Sequence, residues 1–261
     1  MRKPLGGLVS ILLLLAITTI SWKGTKFNSN NKDFAKGFSA RELLEKYINN
    51  IYTSAHLQES GLDLDVFDKA VTGFMNLKAD DKVPQTASIL TVVDLAKSSH
   101  QKRMWIIDLI NKELLLNTLC AHGNGSGNDM ATNFSNTVDS HQSSLGFYIT
   151  DNVYYGKNGL SLRLDGMDEG FNSNARERAI VVHGADYVSE NTIAQLGRLG
   201  RSYGCPAVPS EMAHEVINTI KDKTVLFING NDERYSSKYL NEDNAARYVF
   251  PESNRDVLAS M

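Results

Sequence analysis

The length, composition and charge of this chain limit the classes of protein to which it can belong. Its 261 residues, 42% of them hydrophobic, supply enough apolar material for one sizeable core and a smaller satellite domain, which excludes a large disordered protein. A formal net charge of −3 offers no basic face to hold nucleic acid through its phosphates. We therefore expect a small-molecule or polymer substrate and no nucleic-acid partner.

The N-terminus has the pattern of a secretory signal. Arg2 and Lys3 precede an uncharged apolar stretch at residues 5–20. We predict that residues 1–21 direct export to the periplasm or cell envelope as a signal peptide. The alternative is an uncleaved signal anchor that attaches the protein to the membrane. Residues 22–37 are polar and rich in asparagine, which indicates a linker.

Residues 38–83 are predicted to form a small helical region. Ser39 and Glu42 have the spacing of a capping box at a helix N-terminus. Two sets of apolar residues at helical spacing follow: Leu43, Leu44, Tyr47, Ile48, Ile51 and Tyr52, and then Val66, Phe67, Ala70, Val71, Phe74 and Met75. We expect two helices that pack on the next domain and have a structural role.

After Pro84 the pattern changes to short apolar runs separated by Gly, Asn, Asp and Ser turns. The predicted strands are 88–94, 104–108, 112–119, 146–150, 161–164, 178–182 and 224–228. This spacing favours a mainly β domain at 84–230, a sandwich or barrel, with one helix at 211–220. Residues 231–261 are expected to be a polar surface tail.

The chain has two cysteines, and one of them has the setting of a nucleophile. Cys205 follows a glycine-containing turn, and His183 ends a β-branched run 22 residues upstream. A thiol attacks an acyl carbon once it ionises, which a nearby imidazole favours. The N–H groups of Tyr203, Gly204 and Cys205 lie on one tight turn and could bind an oxyanion, while Ser202 could hydrogen-bond within that turn. On spacing alone, a core histidine and a buried thiol explain the pattern equally well.

The same residues carry a resemblance to a known family. Ser202-Tyr203-Gly204-Cys205 resembles the S-H-G-C signature of the murein L,D-transpeptidase catalytic domain, and His183-Gly184 resembles its upstream H-G pair. Residues 105–116 resemble its opening hairpin, and residues 143–149 resemble its T-P-x-G-x-F-x-I segment. The resemblance covers residues 86–230. The sequence of these segments, including the S-Y-G-C-P turn, is close to that of an envelope subgroup of the family.

The resemblance implies a mostly β enzyme that needs no cofactor or metal and acts on peptidoglycan stem peptides. Cys205 would attack the third stem residue, release D-alanine and leave a thioester for the side-chain amine of a second stem. His183 would be the base, oriented by the Gly184 carbonyl. A carbapenem would add to Cys205. The alternatives are an L,D-carboxypeptidase that uses water and a non-catalytic peptidoglycan-binding module. Oligomeric state is left open.

Several residues depart from the family pattern or suggest other sites. Tyr203 replaces a second histidine, and the polar residue usual after the nucleophile is missing, so donor carboxylate binding falls to Arg198, Arg201 or Arg163. His214 lacks the second histidine of a zinc motif. The glycine-rich residues 122–128 lack the G-K-S/T ending of a phosphate loop and are expected to be a flexible β-loop. Cys120 with His122 is rejected as a second thiol–imidazole pair, because alternate strand residues do not face each other.

Overall fold

The computed structural model describes residues 38–251, which are built around one eight-stranded mixed sheet. The elements in chain order are α1 (Ala40–Ser54), α2 (Leu64–Ala79), β1 (Ile89–Asp94), β2 (Met104–Asp108), β3 (Glu113–Thr118), β4 (Gly146–Gly156), β5 (Gly159–Gly166), β6 (Val181–Ala185), α3 (Glu190–Leu196), β7 (Ala207–Pro209), α4 (Ala213–Ile220), β8 (Val225–Asn229) and α5 (Glu242–Val249).

The sheet curls into a nearly closed barrel. Its strand order is β3-β2-β1-β8-β4-β5-β6-β7, in which β1–β8 and β6–β7 are parallel pairs and the other pairs are antiparallel. Just beyond β3, Ala121 exchanges backbone hydrogen bonds of 2.8 and 3.3 Å with Ala207 on the edge strand β7. The two ends of the sheet therefore approach each other, and the predicted mainly β fold is confirmed.

Alternating side chains of the central strands pack into two separate cores, and a third, smaller cluster includes Ala185 of β6 and Ala207 of β7. On β2, Trp105 and Ile107 join the core under α1, α2 and α5, whereas Met104 and Ile106 join the core that α4 covers. Each of these side chains is fully buried, and burial of one large apolar side chain contributes about 1.5–3 kcal/mol. A strand buried on both faces explains why its sequence is a continuous apolar run.

The N-terminal helices form where the sequence predicted them. Ser39 Oγ accepts the Glu42 N–H at 3.3 Å, and the Glu42 carboxylate accepts the Ser39 N–H at 2.7 Å, so the capping box is present. The predicted helix at 211–220 begins as α4 at Ala213, after a short 3₁₀ turn. The helical region shares a core with the sheet, and residues 38–251 belong to one compact unit.

The C-terminal segment differs from the expected polar tail. Helix α5 packs on α1 and α2 and buries Ala245 and Ala246, and Tyr239 just before it is also buried. The buried Asn76 side chain on α2 donates to the carbonyls of Tyr239 and Asn241 at 2.7 and 2.9 Å. Two small alanines among polar residues give a weak apolar signal, which is why the sequence pattern missed this docking helix.

The predicted signal, the predicted linker and the last ten residues lie outside the described part of the chain. Within residues 38–251, none of the helices has the length and apolar character needed to cross a membrane.

Candidate active site

Two adjacent parallel strands, β6 and β7, position the segments that carry the predicted base and nucleophile. His183 on β6 is in register with Ala207 on β7, and Cys205 precedes Ala207 by two residues. The Val181 N–H donates to Cys205 Sγ at 3.4 Å, which places the thiol beside the start of β6. Cys205 lies in the bend just before β7, and the Val181 contact places its thiol two residues from His183 along β6.

The His183 imidazole is buried and oriented by its own strand. Its Nδ1 lies 2.8 Å from the Gly184 carbonyl oxygen, so Nδ1 carries the proton and Nε2 is left as the base. Burial lowers the pKa of His183, and the Gly184 contact opposes that shift. At neutral pH the imidazole is therefore uncharged and able to accept a proton.

The Cys205 thiol is packed by protein, although the residue keeps some solvent exposure. Burial raises its pKa, against the opposing effects of the Val181 N–H and the charge of Arg178. Sγ lies 3.8 Å from the Ala179 carbonyl oxygen, and no hydrogen bond joins Cys205 to His183 among residues 38–251. The resting pair is thus a neutral thiol and a neutral imidazole.

Ser202 fixes the shape of the turn before the nucleophile. Its Oγ accepts the Gly204 N–H at 3.1 Å and donates to the Cys205 carbonyl at 2.6 Å. The Gly204 N–H is therefore already used, which corrects the expectation of three free donors. In the described structure the N–H groups of Tyr203 and Cys205 have no acceptor, so two donors remain for an oxyanion.

Gly204 is required at its position for two reasons. Its φ of +120° lies in the region that favours glycine, and a Cβ there would lie 2.8 Å from the Gln142 carbonyl oxygen. The loop that carries Gln142 thus packs directly on the nucleophile turn.

The glycine-rich segment expected to be a flexible loop is tied to the same turn. The Ser202 N–H donates to the His122 carbonyl at 3.0 Å, and the Asn124 N–H donates to the Ser202 carbonyl at 2.8 Å. Further along this loop, the His141 ring stacks on the Tyr203 ring with centroids 4.3 Å apart. Tyr203 nevertheless stays 66% exposed, at the rim of the site.

The three arginines proposed to bind the donor carboxylate have different settings. Arg163 on β5 pairs in register with Val181, beside the thiol, and its guanidinium lies 4.4 Å from the Tyr154 ring centroid. Arg201 donates to the Gly127 carbonyl at 2.8 Å, and Arg198 donates to the Leu199 carbonyl at 2.7 Å. The structure therefore brings Arg163 to the face of the sheet that carries His183 and commits the other two to loop contacts.

Sequence reasoning missed Arg178, which lies beside the nucleophile turn. Its guanidinium donates to the Gln142 carbonyl at 2.5 Å and to the Ser135 carbonyl at 2.7 Å. These partners lie more than 30 residues away in sequence, so no local pattern could have identified the contact. The remaining signal was weak: an arginine three residues before the strand that carries His183.

The second cysteine has a different environment. Cys120 is fully buried, and burial raises its pKa to about 12. His122 accepts a hydrogen bond at Nδ1 from Arg103 at 2.7 Å, and burial lowers its pKa to about 4. Among the described residues there is no group of three or more His, Cys, Asp and Glu side chains that could hold a metal ion.

Comparisons with known proteins identify a matching family model and several similar solved structures. The family model of the L,D-transpeptidase catalytic domain matches residues 58–229. Similar solved structures include an L,D-transpeptidase from Mycobacterium smegmatis, which is 12% identical over 55% of this chain and 59% of that chain, with a TM-score of 0.34. Bd1075 from Bdellovibrio bacteriovorus is 16% identical over 67% of this chain and 59% of that chain, with a TM-score of 0.37.

A third similar structure is the helical cell shape determining protein Pgp2 from Campylobacter jejuni, which is 10% identical over 69% of this chain and 62% of that chain, with a TM-score of 0.37. The chain thus spans about three fifths of the length of these structures. A comparison with curated proteins gives no match.

Proposed function

The chain belongs to the L,D-transpeptidase catalytic-domain family, and we propose that it is an exported peptidoglycan L,D-transpeptidase with Cys205 as its nucleophile. The observation that carries this proposal is the hydrogen bond from the Val181 N–H to Cys205 Sγ, because it places the thiol at the start of the strand on which the Gly184 carbonyl orients the His183 imidazole. The S-Y-G-C-P turn fixes the backbone next to the thiol, because Ser202 Oγ hydrogen-bonds to both the Gly204 N–H and the Cys205 carbonyl.

The first half of the reaction forms a thioester. Cys205 gives its proton to Nε2 of His183 as Sγ attacks the carbonyl carbon of the third stem residue. The oxyanion is bound by the N–H groups of Tyr203 and Cys205, and one such donor contributes about 2.7–4 kcal/mol. When the tetrahedral intermediate collapses, the C–N bond to D-alanine breaks, and the leaving amine takes the proton from His183.

The second half transfers the acyl group. The side-chain amine of a second stem peptide attacks the thioester carbonyl and gives a proton to His183. Collapse breaks the C–S bond, and the Cys205 sulfur takes the proton back. A cross-link between two stems and the free enzyme are the products.

The neutral resting pair suits this sequence of proton transfers. His183 begins without a proton on Nε2, because burial lowers its pKa and Gly184 holds the proton of Nδ1. A donor that displaces water from the site strengthens the attraction between the developing imidazolium and the thiolate. Proton transfer is thereby coupled to substrate binding.

Of the three candidate arginines, Arg163 has the setting that best supports binding of the donor carboxylate. It shares the sheet face of His183, and its guanidinium lies over the Tyr154 ring with no hydrogen bond or ion pair to the described residues. A planar guanidinium fork suits a carboxylate. Arg198 and Arg201 already donate to backbone carbonyls, so they are the weaker candidates.

Mass analysis of cross-linked and uncross-linked muropeptides after incubation with the purified full-length protein tests this function. Wild type should form cross-links and release D-alanine, and Cys205→Ala should do neither, whereas Cys120→Ala should retain both because its thiol is buried and protonated. A carbapenem should add one equivalent at Cys205. His183→Ala should slow that addition by about 10²–10⁴-fold.

The outcome also separates the alternatives. Release of D-alanine without cross-links identifies an L,D-carboxypeptidase that uses water as its acceptor. Full activity in Cys205→Ala, or carbapenem mass on Cys120, would refute the assignment. A wild-type protein that binds peptidoglycan and changes none of its bonds is a binding module.

A further inference from the structure

Arg178 is a half-buried arginine whose charge meets no carboxylate within ion-pair distance among residues 38–251. Its four hydrogen bonds go instead to neutral oxygens. Nη1 donates to Ser135 O at 2.7 Å and to Ser144 Oγ at 3.1 Å, and Nη2 donates to Ser140 Oγ at 3.3 Å and to Gln142 O at 2.5 Å. A guanidinium stays protonated in such a setting, so a full positive charge remains there.

This charge lies against the nucleophile turn. Arg178 Nη2 is 3.2 Å from the point where a Cβ on Gly204 would lie, and Gln142 O is 2.8 Å from the same point. The guanidinium therefore packs beside the residue next to Cys205. It also lowers the pKa of Cys205, in opposition to burial.

Arg178 also connects the turn to the loop that flanks it. Its four partners span residues 135–144, and Ser143 in that stretch accepts the Gly123 N–H at 3.0 Å and donates to the Gly204 carbonyl at 3.4 Å. One guanidinium fork thus fixes the loop whose side chains and carbonyls line the turn.

The arginine two residues earlier provides a contrast. Arg176 Nη2 lies 2.6 Å from carboxylate oxygens of both Asp151 and Asp165, with its side chain 43% exposed. Its charge is compensated and screened by solvent. Arg176 is therefore a matched control: the same residue type, nearby in sequence, with no contact to the nucleophile turn.

We propose that Arg178 positions the nucleophile, an inference that rests on the proposed function. Its guanidinium holds loop 135–144 against the Gly204 turn. Its uncompensated charge favours the thiolate of Cys205. Tyr187 also interacts with the thiol, and His183 lies on the strand that contacts it. Burial raises the pKa of Tyr187 to about 12, so the phenol is neutral during turnover. Arg178 is thus the fixed cation beside the thiol.

The test is the pH dependence of Cys205 alkylation by iodoacetamide in the full-length protein, followed by mass analysis of the Cys205 peptide. Arg178→Met should raise the pH midpoint of alkylation by about one unit, the low end for removal of a charge within about 6 Å. Arg178→Lys keeps the charge and should stay within about 0.3 unit of wild type. Arg176→Met should leave the midpoint unchanged.

Two outcomes overturn the proposal: a wild-type midpoint in Arg178→Met, or an equal rise in Arg178→Lys, which would mean that the residue acts through packing alone. If circular dichroism shows that Arg178→Met does not fold, Arg178→Gln replaces it, because the amide removes the charge and keeps a donor for Gln142 O. Alkylation needs no peptidoglycan, so a wild type that fails to cross-link defeats the proposed function while the alkylation series still decides the role of Arg178.

Discussion

The pKa values of Cys205 and His183 are shifted in opposite directions, and both shifts favour the neutral form of the group. Burial raises the pKa of the Cys205 thiol and lowers the pKa of the His183 imidazole. The sequence had led us to expect that a nearby imidazole favours ionisation of the thiol. The structure corrects this expectation for the resting protein, because desolvation of both groups outweighs the opposing hydrogen bonds and the charge of Arg178.

Gly204→Ala should impair the reactivity of the active site more than the replacement of a glycine that lies away from the nucleophile turn. A residue with a Cβ is strained at φ +120°, which costs about 1–3 kcal/mol, and the new methyl group would collide with Gln142 O. We expect a lower midpoint of thermal unfolding and at least about a tenfold slower carbapenem addition, since about 1.4 kcal/mol corresponds to tenfold in rate.

Gly197→Ala is the matched control for that experiment. Gly197 has φ +70° at the end of α3, and no atom lies within 4 Å of the added Cβ. We expect a stability loss of about 1 kcal/mol and unchanged acylation. Equal acylation rates in both variants would contradict the role assigned to the Gly204 turn.

Among the elements, α5 shows how a short helix is anchored by one buried side chain. The Asn76 side chain donates hydrogen bonds to the carbonyls of Tyr239 and Asn241, just before α5. The first of these contacts is buried and the second is half-buried. Buried carbonyls away from water must find donors, so the Asn76 amide fixes where the C-terminal segment crosses α2.

Asn76→Ala should therefore destabilise the protein by about 2 kcal/mol, because it removes two hydrogen bonds and leaves the buried Tyr239 carbonyl without its donor, while the Asn241 carbonyl keeps the Ala245 N–H. Denaturant unfolding monitored by circular dichroism measures this loss. Asn49→Ala is the control: its exposed amide donates to the Glu45 carbonyl within α1, and we expect a change within about 0.5 kcal/mol. A similar loss in both variants would show that the Asn76 contacts do not anchor α5.

Across the whole molecule, the loops at one end of the curled sheet meet around a buried basic pair. Arg103 is fully buried and donates to the Cys120 carbonyl at 2.9 Å, to the Lys97 carbonyl at 2.6 Å and to His122 Nδ1 at 2.7 Å. The His122 carbonyl in turn receives the Ser202 N–H. A protonated His122 would put a second charge beside Arg103, so this part of the fold depends on a neutral imidazole.

This arrangement predicts loss of stability in mild acid. The pKa of His122 falls from an ordinary 6.5 to about 4 on folding, so its contribution is fully present above pH 6.5 and is lost as the pH falls through about 4. The loss is on the order of 3 kcal/mol. Unfolding free energies between pH 8 and pH 4 should show it.

The variant that checks the origin of this loss is His122→Gln, whose amide oxygen still accepts from Arg103 but does not titrate. We expect a flatter pH dependence, with the remaining slope due in part to His183, whose pKa is also lowered. His214→Gln, an exposed histidine on α4, should follow the wild-type curve. A wild-type slope in His122→Gln would remove His122 as the cause.

The sequence by itself determined the parts of this protein that depend on neighbours along the chain. Apolar runs bounded by turn residues located most of the strands, because burial on both faces of a sheet demands continuous apolar residues. The spacing of Ser39 and Glu42 located the start of α1, since a capping box is a local hydrogen-bond pattern. The turn at Cys205 and the resemblance it carries identified the family.

Only the tertiary structure decided which groups around the thiol are charged, which are hydrogen-bonded to other residues and which remain free. Ser202 takes the Gly204 N–H, loop contacts occupy Arg198 and Arg201, and Arg178 reaches the turn from a separate segment. Helix α5 likewise follows from a docking surface that other helices supply. Hydrogen-bond partners, desolvation and charge pairing depend on residues far apart in sequence, and only the folded chain brings those residues within a few ångströms of each other.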